Sequence, residues 1–142
     1  MFISNNCPYV QPYLERLKQL QTEFADMGIT LIGINANDGT QDRAESLEMM
    51  KVFATSDGLN FPYLRDVTQD VARSFGASCP PEAFLLDHQG ILRYRRLIDD
   101  RPADAAAVQV PYLRQAIGQV LQGEPVTIAS TDPVGSEIQW RH

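Results

Sequence analysis

Only two thiols occur in the chain, Cys7 and Cys79, and both stand where a strand meets another element. Cys7 lies in Ser4-Asn5-Asn6-Cys7-Pro8, between a short apolar run and the first turn of a long helix. Unpaired N–H groups and the positive end of the helix dipole favour a thiolate there, which would be the reactive form towards peroxides and disulfides. Pro8 suits the first helical position. A free cysteine is as readily a small buried apolar residue, and position alone leaves the two readings even. Cys79 lies in Ser78-Cys79-Pro80-Pro81, just ahead of a strand. X-Pro bonds are the ones with an appreciable cis population, so Pro80 or Pro81 is a candidate to shape a groove. Viewed alone, Cys79 reads as an incidental residue in a rigid turn. Viewed together, the two strand boundaries can be neighbours at one end of a mixed sheet.

The elements that would position these thiols follow from periodicity. Met1 to Ile3 reads as the tail end of a strand, stopped by Ser4-Asn5-Asn6. Val10, Leu14, Leu17, Leu20, Phe24 and Met27 recur at helical spacing and predict a helix over Tyr9 to Met27, ended by Gly28. Ile29 to Ala36 is rich in β-branched residues and predicts a buried parallel strand. Arg43 to Thr55 predicts a second helix, Asn60 to Leu64 an extended link, and Gln69 to Phe75 a third helix capped by Thr68. Ala83 to Leu86 and Ile91 to Ile98 predict a hairpin turned at Asp87-His88-Gln89-Gly90. A last helix is expected over Val110 to Leu121. The order β, α, β, α, α, β, β, α predicts an α/β domain over residues 1–123, a mixed sheet with helices on both faces. Residues 124–142 are expected to form a tail that packs back on the domain, with Trp140 as its anchor.

Composition narrows the function. The chain is 44% hydrophobic and 21% charged, with a net charge of −6, which suits a soluble globular protein and disfavours a nucleic-acid backbone as partner. The basic cluster Arg93, Arg95 and Arg96 is too small to reverse that. No run is long and apolar enough to span a membrane. The first residues lack the pattern of a signal peptide, so the cytoplasm is the expected location, and there thiols are kept reduced. His88 and His142, one in a hairpin turn and one terminal, give no zinc set, and no Gly-rich phosphate loop occurs; no metal and no cofactor are expected. Asp99-Asp100-Arg101-Pro102 reads as a solvated loop. Tyr9, Tyr13 and Phe61 are candidates to line a groove, although such aromatics more often belong to a core.

The segments Asn6-Cys7-Pro8-Tyr9-Val10, Gly33-Ile34-Asn35 with Asn37-Asp38, Asn60-Phe61-Pro62-Tyr63-Leu64, Gly76-Ala77-Ser78-Cys79-Pro80-Pro81, Phe84-Leu85-Leu86-Asp87 and Ile138-Gln139-Trp140 together resemble the redoxins of the alkyl hydroperoxide reductase and thiol-specific antioxidant type. These are members of the thioredoxin superfamily, and the resemblance runs nearly end to end. It implies a thioredoxin-like fold in which Pro81 is the cis-proline opposite the active site. It implies Cys7 as the peroxide-attacking thiol, Ser4 as its hydrogen-bonding helper, and Asn6, Pro8 and Pro81 beside the substrate. Relatives usually carry Cys-x-x-Cys where this chain has Ser4-Asn5-Asn6-Cys7, so dithiol exchange through that motif is excluded. Gly135-Ser136 stands where Gly-Cys is expected. Relatives also have a longer front that completes the central strand, so a truncated strand, or one completed by a neighbouring chain in a homodimer, is expected.

Two functions follow from different classes. In the first, Cys7 attacks a peroxide or a protein disulfide, Cys79 resolves the product, and a thioredoxin-type reductant reopens the bridge. In the second, the chain is a thioredoxin-fold binding module whose catalysis has decayed with the loss of the first motif cysteine.

Overall fold

The apolar stripe that follows Cys7 forms one continuous helical rod. A computed structural model describes residues 1–142. Gln11–Tyr13 turn as a tight 3₁₀ helix, α1 (Leu14–Phe24) continues it, and a second 3₁₀ turn, Ala25–Met27, runs to Gly28 at φ +87°. Pro12 falls in the 3₁₀ entry, where a missing donor is tolerated. Leu14, Leu17, Leu20 and Phe24 are buried, the single apolar stripe that the spacing predicts.

Only part of Ile29 to Ala36 becomes a paired strand, β1 (Gly33–Asn35). It pairs in parallel with β2 (Tyr63–Arg65), in the register Gly33↔Tyr63 and Asn35↔Arg65. β2 lies at the end of the segment read from sequence as an extended link. Its Leu64 is 51% exposed, so no apolar alternation announces it, and the element order gains a strand. β3 (Ala83–Leu86) and β4 (Leu92–Arg96) form the expected antiparallel hairpin, with an irregularity at Leu85/Leu86.

Residues Met1 to Ile3 join the two pairs. Phe2 exchanges backbone hydrogen bonds with Glu82 (2.8 and 3.1 Å), while Ile3 N–H donates to Ile34 and Ile34 N–H to Met1 (2.9 and 2.8 Å). The mixed sheet therefore runs β2, β1, Met1–Ile3, β3, β4. The first run is parallel to β1 and antiparallel to β3, so Ser4, the end of β1 and the start of β3 share one end of the sheet.

Period-two alternation sorts the side chains between the faces. Ile3, Ala83, Leu85 and Tyr94 pack with α1 and with α4 (Tyr112–Leu121) in the larger core cluster. Phe2, Ile34 and Phe84 pack on the other side with Ala72 and Phe75 of α3 (Asp70–Phe75). The rings of Phe2, Phe75 and Phe84 meet at centroid distances of 5.2 to 5.9 Å.

Several local expectations are corrected. The second helix is interrupted: Arg43–Glu45 make a 3₁₀ turn capped by Asp42, and α2 (Leu47–Ser56) starts afresh under Ser46, whose Oγ accepts from Met49 N–H at 3.2 Å. Asp66 is the stronger cap of α3, its carboxylate accepting from Ala72 N–H at 2.8 Å, while Thr68 Oγ1 lies 3.4 Å from Asp70 N. Asp99 is buried rather than solvated, because Arg16 (2.9 Å) and the Tyr13 hydroxyl (3.1 Å) both bind its carboxylate. That interaction also places Tyr13 in the core, where burial and the Asp99 carboxylate push its phenol pKa up. Phe61 is likewise core. No helix is long and apolar enough to cross a membrane.

Candidate active site

Cys7 follows directly from the central run. Its carbonyl accepts from Val10 N–H (3.0 Å) and Gln11 N–H (3.2 Å), which places it at the entry of the helical rod with the peptide dipoles of the first turns aligned towards it. The residue is only 4% exposed, while Asn6, Pro8 and Tyr9 around it lie on the surface. The sulfur meets a hydroxyl, Ser136 Oγ at 3.4 Å, and a carbonyl, Pro80 O at 4.0 Å. No cationic side chain is bonded to it.

The Cys79 loop is brought to the same place. The Pro80–Pro81 bond is cis, so Pro81 is the cis-proline that the resemblance implies, and both prolines are buried. Cys79 is half-buried, and both cysteines are free thiols. Glu82, fully buried, holds this loop: its Oε1 accepts from Ser78 N–H at 2.6 Å, from the Ser78 hydroxyl at 3.2 Å and from Cys79 N–H. Its other oxygen has no hydrogen-bond partner and faces Arg96 Nε at 3.8 Å.

Ser4 is buried beside this centre, yet the hydroxyl that reaches the Cys7 sulfur is that of Ser136. The loop between Ser4 and Cys7 is fastened from below by Glu45. This buried carboxylate accepts from Asn5 N–H (3.2 Å), Asn6 N–H (3.1 Å) and Asn35 Nδ2 (2.8 Å). Asn5 Oδ1 in turn accepts from the Tyr63 hydroxyl at 2.8 Å, and burial pushes that phenol's pKa up.

Glu45, Asn35, Tyr63 and Glu82 escape a reading of the sequence alone. Asn35 and Glu82 leave a faint signal, each a polar residue inside or against an apolar strand. Glu45 leaves none, since its inward turn depends on the break at Ser46. No group of three His, Cys, Asp or Glu side chains placed to hold a metal ion occurs in the molecule.

The Cys7 sulfur thus meets a cis-proline loop at one end of the mixed sheet, and the model of the AhpC/TSA family matches residues 1–95. The chain belongs to the AhpC/TSA family. Among solved structures, this AhpC/TSA protein is similar to a hypothetical protein from Sinorhizobium meliloti 1021, with 36% identity and a TM-score of 0.90 over 99% of this chain and 77% of that one. An uncharacterized conserved protein from Geobacillus kaustophilus gives 35% identity and a TM-score of 0.91 over 99% and 75%. A thioredoxin-like protein solved in its oxidized form gives 15% identity and a TM-score of 0.68 over 87% and 76%, a likeness of fold. No curated protein matches the chain. The fold is thioredoxin-like, and the family ties it to thiol-based redox chemistry in general.

Proposed function

We propose that this AhpC/TSA protein reduces peroxides through Cys7, with Cys79 as the resolving thiol. The Cys7 thiol gives its proton to solvent, the thiolate attacks the terminal peroxide oxygen, the O–O bond breaks, the departing alkoxide or hydroxide takes a proton from solvent and leaves as alcohol or water, and Cys7 becomes a sulfenic acid. The Cys79 thiol then displaces water from that sulfur, leaving a Cys7–Cys79 disulfide. A thioredoxin-type dithiol attacks the Cys79 sulfur, releases the Cys7 thiol, and then frees Cys79 while becoming a disulfide itself. The observation that carries this reading is the meeting of the Cys7 sulfur with the Cys79-Pro80-Pro81 loop at a helix entry. Ser4 in place of a first motif cysteine weighs towards peroxide and against protein disulfide as substrate. Asn6 and Pro8, exposed around the sulfur, are the surface a substrate meets first.

The burial of Cys7 and the absence of a cation on its sulfur favour one second reading, a thioredoxin-fold binding module without turnover. Intact mass after stoichiometric hydrogen peroxide and thiol blocking separates the two. The proposal expects loss of both alkylation sites in the wild type, a trapped sulfenic acid in Cys79→Ser, and no oxidation in Cys7→Ser. Full alkylation of both thiols in every sample would leave the binding module.

A further inference from the structure

The hydroxyl that meets the Cys7 sulfur comes from the far end of the chain. Residues 135–141 lie as a strap over the loop that carries Cys79. Ser136 N–H donates to Pro80 O (3.1 Å) and Ile138 N–H to Ser78 O (2.8 Å). Ile138 is the most deeply buried anchor, 3% exposed in the cluster with Phe2, Ala36, Ala72 and Ala77, and Trp140 packs half-buried against the same cluster. Beyond it, Gln139 O accepts from Asp38 N–H (2.9 Å) and Gln69 Nε2 (3.0 Å), and Gln139 N–H donates to Asn37 Oδ1 (2.8 Å). Arg141 N–H donates to Gln69 Oε1 at 3.0 Å. The strap is fitted closely: a Cβ at Gly135 would overlap the Pro80 carbonyl and lie 2.7 Å from Cys79 O.

We propose that the strap, through Gly135, Ser136 and Ile138, is a size filter that admits peroxide-sized oxidants to Cys7 and refuses disulfides carried on proteins. This rests on the reading of Cys7 as the reactive thiol and names its substrate class more narrowly. Attack on a peroxide needs only two oxygens to approach the sulfur. A mixed disulfide with a protein would bring the partner's Cα to within about 7 Å of that of Cys7, onto ground next to the Ser136 and Pro80 backbone. Ser136 adds a hydroxyl to the sulfur without offering a thiol that could be captured in exchange.

The test uses the full chain with Cys79→Ser, so that one thiol is counted. Rates of Cys7 with iodoacetamide and with a polyethylene-glycol maleimide are compared, and sulfenic acid formed by hydrogen peroxide is trapped with dimedone. Two variants lift the strap by different means, Gly135→Val by collision and Ile138→Ser by loss of its anchor, with circular dichroism checking that each remains folded. The filter predicts that the ratio of bulky to small reagent rates rises about tenfold or more in both, equivalent to ~1.4 kcal/mol, while the peroxide rate changes little. An unchanged ratio in both folded variants overturns it. If the ratio rises but peroxide never oxidises Cys7, the strap is only a cover, the substrate assignment is overturned, and the redox reading falls separately.

Discussion

The two ends of the central sheet are held by different forces. At the end carrying Cys7, the buried carboxylates of Glu45 and Glu82 and the amides of Asn35 and Gln69 bind backbone groups of four separate segments, at Asn5, Ala36 to Asn37, Ser78 and Gln139. At the opposite end, the start of β1 and the end of β3 flank an apolar cleft of about 500 Å³ lined by Met27, Ile32, Phe84, Leu86 and Leu121 among others. There Met27, Ile32 and Leu86 are 58%, 40% and 42% exposed. Directional bonds in a buried setting fix positions to within tenths of an ångström, whereas apolar contact is indifferent to orientation. The end that must hold a sulfur against a cis-proline loop is the one built from directional bonds.

Substitutions on both ends would break this contrast if it is wrong. The largest effect is expected from Glu82→Ala, which strips the acceptor from Ser78 and Cys79 N–H and leaves Arg96 without its buried counter-charge, at a cost of about 3 kcal/mol. Chemical denaturation measures the loss, and faster alkylation of Cys79 would report the freed loop. Glu45→Ala orphans the Asn5 and Asn6 N–H groups and is expected to cost about 2 kcal/mol in chemical denaturation, with faster alkylation of Cys7 as the loop that carries it loosens. Leu86→Ser at the cleft removes only a half-exposed side chain and should fall within about 0.5 kcal/mol of the wild type. Equal costs at the two ends would show that the polar network is ornament.

Much of the frame was legible in the sequence because periodic burial is a repeated signal. The stripe from Val10 to Phe24, the β-branched run into β1 and the hairpin around Gly90 each rest on several residues that agree. β2 was invisible because a parallel pairing depends on a partner elsewhere in the chain, and Tyr63-Leu64-Arg65 carries no alternation of its own. The positions of Cys7 and the Cys79 loop could be read as strand boundaries, but their meeting required the sheet order. The polar supports were the least legible part. Glu45 points inward only because Asp42 and Ser46 each cap a separate turn, and a capping residue looks the same whether it opens a helix or splits one. In the tail the conspicuous Trp140 does pack on the domain, half-buried, while the deeper burial of Ile138 carried no signal of its own.

The smallest effect, and the one that sharpens the comparison furthest, concerns how acid acts on the strap. Asp38 holds the strap's end through its backbone, and its carboxylate accepts from the Thr40 hydroxyl and N–H (2.6 and 3.0 Å) with Arg141 at 3.8 Å. The hydroxyl, then the peptide N–H and the guanidinium, hold its pKa below the usual carboxylate value. A depressed folded pKa means that the contribution to stability is present above the unfolded value, about 3.9, and is lost as pH falls through the folded value. The strap should therefore stay closed through neutral and mildly acid conditions and loosen only below about pH 4. Trp140 is the sole tryptophan and lies with its ring 5.0 Å from the Arg73 guanidinium, so its fluorescence reports the strap directly. In the wild type the emission should change below pH 4 ahead of global unfolding, and in Asp38→Asn that acid-dependent step should shrink, because the titrating group is gone. A Trp140 transition of the same size and midpoint in both proteins would move the acid response to other groups, with Asp87 and Asp100 next in line, since backbone N–H bonds lower both of their pKa values as well.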